Sequence, residues 1–331
     1  MEKTKNTKRK RLYSLLIIIL VVLFLSSTLL LINYWERNRG LFPSHSEYND
    51  ISITYDGVKY TPNKDVQGIL VLGLDKFDDS VDNSGYYNNQ QADFIMLFAV
   101  DNKNGTYSAI HLNRDTMAEI NVLGVAGEKI DTVTEQLALS HAYGNGKEVS
   151  CRNTADAVSN VLNGIPIERY VSVTMDAIPV ITDLVGGVEV EVKDDFSEID
   201  DSLVMGEKVV LNGDNVLNFV RTRYGMKDSS NQARMVRQQD YLVSLFDAFE
   251  EKANNDDSFI LNASLELSDY IVSNYTLSQL ENLVDNLSEY KFEQIYTIEG
   301  ESKVGDKYME FYPEDDSVSQ VVTKLFYVPE K

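Results

Sequence analysis

Gly68-Ile69-Leu70-Val71-Leu72-Gly73-Leu74-Asp75 is an unbroken apolar run closed by an acid. A run with no polar alternation predicts a strand buried on both faces, and its last residue brings a carboxylate to the strand end. Downstream, Ala92 to Val100 is again apolar and β-prone, with Asp93 near its start. Asp101-Asn102-Lys103-Asn104-Gly105 then marks a turn into a second strand over Thr106 to Leu112, so the pair reads as a hairpin that delivers Asn113, Arg114 and Asp115 just past its end. Ile51 to Tyr60, Arg169 to Thr174, Gly187 to Val192 and Tyr290 to Glu299 read as further strands. Helical spacing covers Thr132 to Tyr143, Asn153 to Leu162, Asp176 to Leu184, Asn212 to Arg223 and Gln232 to Glu251. It returns at Phe259 to Val272, Thr276 to Leu287 and Ser317 to Leu325. Interleaved strands and helices with at least one hairpin predict an α/β fold, its mixed central sheet flanked by helices on both faces.

Ahead of this lies a different kind of segment. Leu12 to Ile32 is a stretch of 21 residues without a charge, dominated by aliphatic side chains. As a helix it would be roughly 31 Å long, enough to span a bilayer core. Lys3, Lys5, Lys8, Arg9, Lys10 and Arg11 precede it and Tyr34 and Trp35 follow, so the basic flank should stay in the cytoplasm and the rest of the chain should lie outside. A cleaved signal peptide would have a shorter apolar core and a small-residue cleavage site, which Leu29 to Tyr34 does not offer. The expected organisation is a cytoplasmic tail (1–11), a transmembrane helix (12–33), a stalk with a peripheral strand (34–67), a catalytic core (68–250) and a C-terminal part of the same domain (251–331).

Charge narrows the function. The chain carries 30 basic and 52 acidic residues, a net charge of −22, and leaving out residues 1–35 makes it −27. So acidic an exported surface is unsuited to nucleic acid, which is bound by neutralising phosphates with Lys and Arg. An anionic substrate would have to be held by a local cluster of Arg or through a metal. The lone Cys151 can form no internal disulfide, and stability must come from the core. The sequence contains no Gly-x-Gly-x-x-Gly, phosphate-loop, His-Glu-x-x-His or Gly-x-Ser-x-Gly signature. With only His45, His111 and His141 available, a zinc centre or serine triad has little to draw on, and His111 within a strand reads as a packed core residue.

What remains is acids and arginines at element ends. Arg221 and Arg223 lie close together, and Arg234, Arg237 and Gln238 fall at i, i+3 and i+4 of a predicted helix, hence on one face. Guanidinium forks match phosphate oxygens in pairs, so this cluster suits a pyrophosphate; a solvated helix face with surface ion pairs is the plainer alternative. Two strand-end carboxylates, Asp75 and Asp93, suit Mg²⁺ (or Mn²⁺), unless they merely cap the turns that follow them.

The order of these pieces adds a resemblance. Gly-Leu-Asp75, Ala-Asp93-Phe-Ile-Met, Leu-Asn-Arg114-Asp115, Lys129-Ile, Leu-Val-Gly-Gly-Val-Glu-Val, Leu-Asn-Gly with Val-Arg221-Thr-Arg223, and Arg234-x-x-Arg237-Gln238-Gln239 together resemble the LytR-CpsA-Psr family over about residues 68 to 243. The resemblance implies a phosphotransferase that moves a glycopolymer (teichoic acid, capsule or another wall polymer) from an undecaprenyl pyrophosphate carrier to a peptidoglycan hydroxyl at the bacterial cell membrane. By the same resemblance Asp75 and Asp93 are metal ligands, while Arg114, Lys129, Arg221, Arg223, Arg234, Arg237 and Gln238 bind pyrophosphate. Arg114, Asp115 and Asp93 are the catalytic residues, Asp115 as the partner that orients Arg114. Two positions depart from the pattern: Asn231 stands where an acid is common, with Asp228 as its nearest substitute, and Asp131 stands where the family has Asn. Two other functions fit the same residues: a hydrolase that splits the lipid diphosphate with water, and a non-catalytic membrane-bound regulator.

Overall fold

The computed structural model describes residues 52–75, 88–124, 127–256, 259–275, 290–306 and 308–330. Along the chain come β1 (Ile53–Tyr55), β2 (Val58–Pro62), β3 (Val66–Leu74), β4 (Ala92–Asp101), β5 (Thr106–Leu112), β6 (Met117–Leu123) and β7 (Lys129–Gln136), then a 3-10 helix, Leu137–Ala142. They are followed by α1 (Glu148–Val161), β8 (Arg169–Thr174), α2 (Ala177–Leu184), β9 (Val188–Glu191), β10 (Lys208–Leu211), α3 (Val216–Arg221), α4 (Asn231–Asn255), α5 (Phe259–Leu267) and β11 (Ile271–Ser273). The last elements are β12 (Lys291–Thr297), β13 (Gly300–Val304), β14 (Met309–Pro313), α6 (Asp315–Phe326) and β15 (Tyr327–Pro329). The expected membrane helix 12–33, most of the stalk and the expected helix Thr276 to Leu287 lie outside the described residues. No helix among the described residues is long and apolar enough to cross a membrane.

The described chain divides into two compact units, and residues 251–331 are shared between them. The first holds the described residues up to Val173, Val272–Tyr275 and those from Phe292 onward. Its centre is a six-stranded sheet in the order β11-β8-β3-β4-β5-β12. β3 and β4 are antiparallel, as are β4 and β5. Leu70, Leu72, Ile95, Leu97, Ile110 and Leu112 enter one core with Val158 of α1 and Val318 and Val322 of α6. The alternate residues of β4, Met96, Phe98 and Val100, are buried as well, which is why this strand reads as a continuous apolar run. Each such Leu or Ile contributes about 2 kcal/mol through loss of contact with water. Gly68 lets β3 pass close to a neighbouring segment, since a Cβ there would meet the Pro166 carbonyl oxygen at 3.1 Å.

The second unit holds Thr174–Ile271 and a short stretch before Phe292. Here α2, α3, α4 and α5 pack on one another, and the β9–β10 hairpin lies against α4. Gly186 and Gly187 end α2 with φ of 86° and 100°, a left-handed turn only glycine adopts freely. The N-terminus of α4 is capped by Ser230, whose hydroxyl accepts from the Ala233 amide at 3.2 Å.

Several expectations need correction. Thr132 to Tyr143 is not a helix: its first part is β7, paired along β6, and only Leu137–Ala142 coils. Val133 and Leu137 are spaced as in a helix, but Val133 stands opposite Ile120 in a ladder the sequence did not announce. Phe259 to Val272 ends its helix at Leu267 and turns into β11, and Asn212 to Arg223 narrows to α3. The single strand expected at Ile51 to Tyr60 is the hairpin β1–β2, turned at Asp56 and Gly57, both with positive φ. Asp176 stands at the N-cap of α2, and its side chain makes no capping hydrogen bond there. The β3, β4–β5, β8 and β9 expectations hold, and His111 is a packed core residue, its ring centroid 4.8 Å from that of Phe94.

Candidate active site

In the first unit the structure brings Asp93, Arg114 and Asp115 together. The β3–β4 register slips between Gly73 and Leu74, from Gly73 opposite Phe94 to Leu74 opposite Ala92, leaving Asp93 between rungs as the extra residue of a bulge. The β5 strand ends in a turn: Asn113 Oδ1 accepts from the Asp115 amide at 3.0 Å, and the Asn113 carbonyl accepts from the Thr116 amide at 3.1 Å and hydroxyl at 2.6 Å. Arg114 sits in that turn and reaches back across the sheet end. Its Nη1 donates to Asp93 and its Nη2 to Gln91, while its Nε is 3.7 Å from Asp115 Oδ1. The Arg114, Asp93 and Asp115 side chains are 11%, 17% and 7% exposed, so the guanidinium is held between acids in a partly dry setting where its charge acts strongly.

The second unit gathers Arg234, Arg237 and Gln238 on one buried face of α4, as the helical spacing predicts, with Val236 exposed between them. Their partners differ from the expectation of a bare phosphate-binding face. Arg237 donates from Nε to the Phe219 carbonyl at 3.0 Å, from Nη1 to Asp194 at 2.7 Å and from Nη2 to the Thr222 carbonyl, and its guanidinium lies 5.6 Å from the Phe196 ring centroid. Gln238 donates to the Val220 carbonyl at 3.2 Å. These two side chains satisfy the carbonyls that the end of α3 leaves over, and so fix the segment that carries Arg221 and Arg223. Arg221 is exposed at the last position of α3; Arg223 is half-buried, 5.7 Å from the Tyr224 ring centroid. Arg234 donates to Asn231 Oδ1, so the residue standing in place of the common acid is the one in contact with that arginine. Asp228 is exposed and accepts from the Ser230 amide at 2.9 Å; hydrogen bonds from Ser230 hold its carboxyl below the usual range.

Asp75 is exposed at the end of β3, one residue beyond Leu74, which pairs with Ala92 beside Asp93. Carboxylate oxygens are the donor type that a hard divalent ion takes, and Asp75 and Asp93 bring two such groups to the ends of neighbouring strands. Lys129 is exposed at the start of β7. Gln136, which touches Asp115, closes that strand seven residues later, about 23 Å away at extended rise, so Lys129 does not join the Arg114 cluster.

The model of the LytR_cpsA_psr family matches residues 43–326. The chain belongs to this family. Of its relatives, the polyisoprenyl-teichoic acid–peptidoglycan teichoic acid transferase TagU of Enterococcus faecalis is 27% identical over 219 residues, 66% of this chain and 65% of the relative. The chain spans less than half the length of each of the next three curated relatives it matches. The fold is shared with solved structures. Bacillus subtilis TagV aligns with a TM-score of 0.58 at 22% identity, over 80% of this chain and 96% of that one. The structure of TagT bound to LI-WTA aligns with a TM-score of 0.58 at 20% identity, over 79% and 90%. The mixed α/β architecture is thus that of the LytR_cpsA_psr family.

Three residues of these clusters escaped the sequence. Gln91 and Gln136 around Arg114 and Asp115, and Asp194 on Arg237, are polar residues without a motif of their own. Gln91 lies just before β4, and the bulge at Asp93 breaks the strand alternation there, so no local pattern marks it.

Proposed function

We propose that this protein is a phosphotransferase, anchored by residues 12–32 with its catalytic domain outside the bacterial cell membrane, that moves a glycopolymer phosphate from an undecaprenyl pyrophosphate carrier to a peptidoglycan hydroxyl. The observation that carries this reading is the Arg114 guanidinium, fixed between Asp93, Gln91 and Asp115 at the end of the central sheet. The teichoic acid transferase activity of the TagU relative and the LI-WTA bound to TagT support it.

In the proposed reaction the acceptor hydroxyl oxygen attacks the phosphorus that bears the glycopolymer. The bond from that phosphorus to the bridging oxygen breaks, undecaprenyl phosphate leaves, and the hydroxyl proton passes to a carboxylate at the site. Such a transfer asks the protein mainly for positioning and charge stabilisation, and a preformed guanidinium absorbs charge without reorganising. Asp75 and Asp93 would hold a divalent cation such as Mg²⁺, which when bound supplies further neutralisation of the diphosphate. For Arg221, Arg223, Arg234 and Lys129, a role in binding the diphosphate rests on the family resemblance.

The test supplies a labelled lipid-linked donor to the full chain in vesicles, with and without peptidoglycan fragments. Label in the glycan only when the acceptor is present supports the transferase. Free polymer phosphate released at the same rate without acceptor would make it a hydrolase. No turnover at all, with a reporter fused after residue 36 active only in the cytoplasm, would leave the regulator.

A further inference from the structure

We infer that Gln136 is a positioning residue for Arg114, acting through Asp115, and that the β13–β14 hairpin is the brace on which it stands. This inference rests on the proposed role of Arg114. Gln136, 9% exposed at the end of β7, spends both donors of its side-chain amide: one goes to Asp115 Oδ1 at 3.0 Å and one to the Met309 carbonyl at 2.7 Å. Met309 begins β14, which is tied to β13 from Gly300 opposite Pro313 to Val304 opposite Met309. The same hairpin reaches the turn through the backbone as well: the Phe311 amide donates to the Asp115 carbonyl at 2.8 Å, and Phe311 forms a parallel bridge with Thr116. From the other side the Leu137 amide donates to the Thr116 carbonyl at 2.7 Å and the Ala138 amide to the Arg114 carbonyl at 3.0 Å.

Every backbone carbonyl from Asn113 to Thr116 is thereby held, and the Asp115 carboxylate is oriented by an amide donor while its Oδ1 faces Arg114 Nε. A carboxylate aimed by a neutral donor keeps its charge for the guanidinium, and the donor's own position is set by a carbonyl that cannot rotate. Gln is the residue type that does this: Glu would set a third acceptor against two others, and Met would fill the space without donating.

The experiment replaces Gln136 in the full chain, Q136M, and uses a core variant of α1, V158A, as a control for general destabilisation. Hydrogen exchange of peptides covering 109–118 and 308–314 is the first readout. Lipid-linked transfer kinetics are the second. In Q136M both peptides should exchange at least about fivefold faster, with kcat down about tenfold and KM within about twofold, because a displaced guanidinium loses transition-state contacts more than ground-state binding. V158A should melt earlier with kcat unchanged. Unchanged exchange in both peptides of Q136M overturns the inference whatever the turnover. Faster exchange with wild-type kcat overturns the positioning role. If the wild-type chain transfers nothing, the proposed function fails by itself, and kcat then has no bearing while the exchange readout still decides whether Gln136 braces the turn.

Discussion

Arg114 stands across from Asp93 when the β4–β5 register, with Ile95 opposite Leu112 as its last pair, is continued two steps past the ladder. The ion pair is therefore a cross-strand pair built without ladder hydrogen bonds, and the bulge at Asp93 is what turns that carboxylate toward it. A site made this way inherits its precision from the sheet. It also leaves two partly buried charges dependent on each other.

Asp93→Ala should consequently cost stability as well as activity. It leaves Arg114, 11% exposed, with Asp115 as the remaining acid, and removing one partner of a buried pair costs about 3 kcal/mol. Urea unfolding should show that loss, and transfer should fall at least about a hundredfold. Arg114→Lys should fail nearly as badly as Arg114→Ala, since one ammonium cannot span Asp93 and Gln91 together. A fully active Arg114→Lys would contradict the assignment.

The two arginine sets of the second unit should separate in a stability assay. Arg221 is exposed, so Arg221→Ala should change unfolding by no more than about 0.5 kcal/mol while abolishing transfer. Arg237→Ala instead strands the Phe219 and Thr222 carbonyls and frees Asp194, a loss of about 3 kcal/mol. If both variants melt like the wild type, the clamp on α3 is of no consequence.

How much of this was legible in the chain follows from where each signal resides. Gly68 to Asp75 and the Asp101 to Gly105 turn carry their structure locally, in an apolar run and a turn composition, and both were readable. The α4 face was readable because 3.6-residue spacing fixes it, and Arg234, Arg237 and Gln238 are indeed buried together. Their contacts were not readable, because Phe219, Val220 and Thr222 offer backbone carbonyls, which any sequence possesses. β6 and β7 were missed for a related reason. Val122, Leu123 and Ile130 make a weak pattern alone, and only pairing with each other decides strand over helix.

Acid should weaken the first unit through His141. This residue is fully buried, its Nε2 3.7 Å from Cys151 Sγ, and burial pushes its pKa down to about 4. The unfolded chain, with an ordinary imidazole near 6.5, binds the proton more readily, so the contribution is complete above that pH and is lost as pH falls toward about 4. Its full size is about 3 kcal/mol. Urea unfolding between pH 7.5 and 4.5 should show a slope that His141→Gln flattens. An unchanged slope in that variant would assign the acid sensitivity to the carboxylates instead.

Removal of divalent ions should stop transfer without unfolding the protein. Asp75 is exposed at the end of β3, so no core packing depends on its charge, and Asp75→Asn should melt within about 0.5 kcal/mol of wild type. If Asp75 and Asp93 share an ion, that variant should need at least about tenfold more Mg²⁺ or Mn²⁺ for half-maximal rate, since one anionic oxygen ligand is lost from a pair. Asp93 variants cannot make this distinction, because they also disturb Arg114. Chelation that leaves the rate of the wild type untouched, or an Asp75→Asn variant with the same metal dependence, would remove the ion from the site and leave charge neutralisation to the arginines alone.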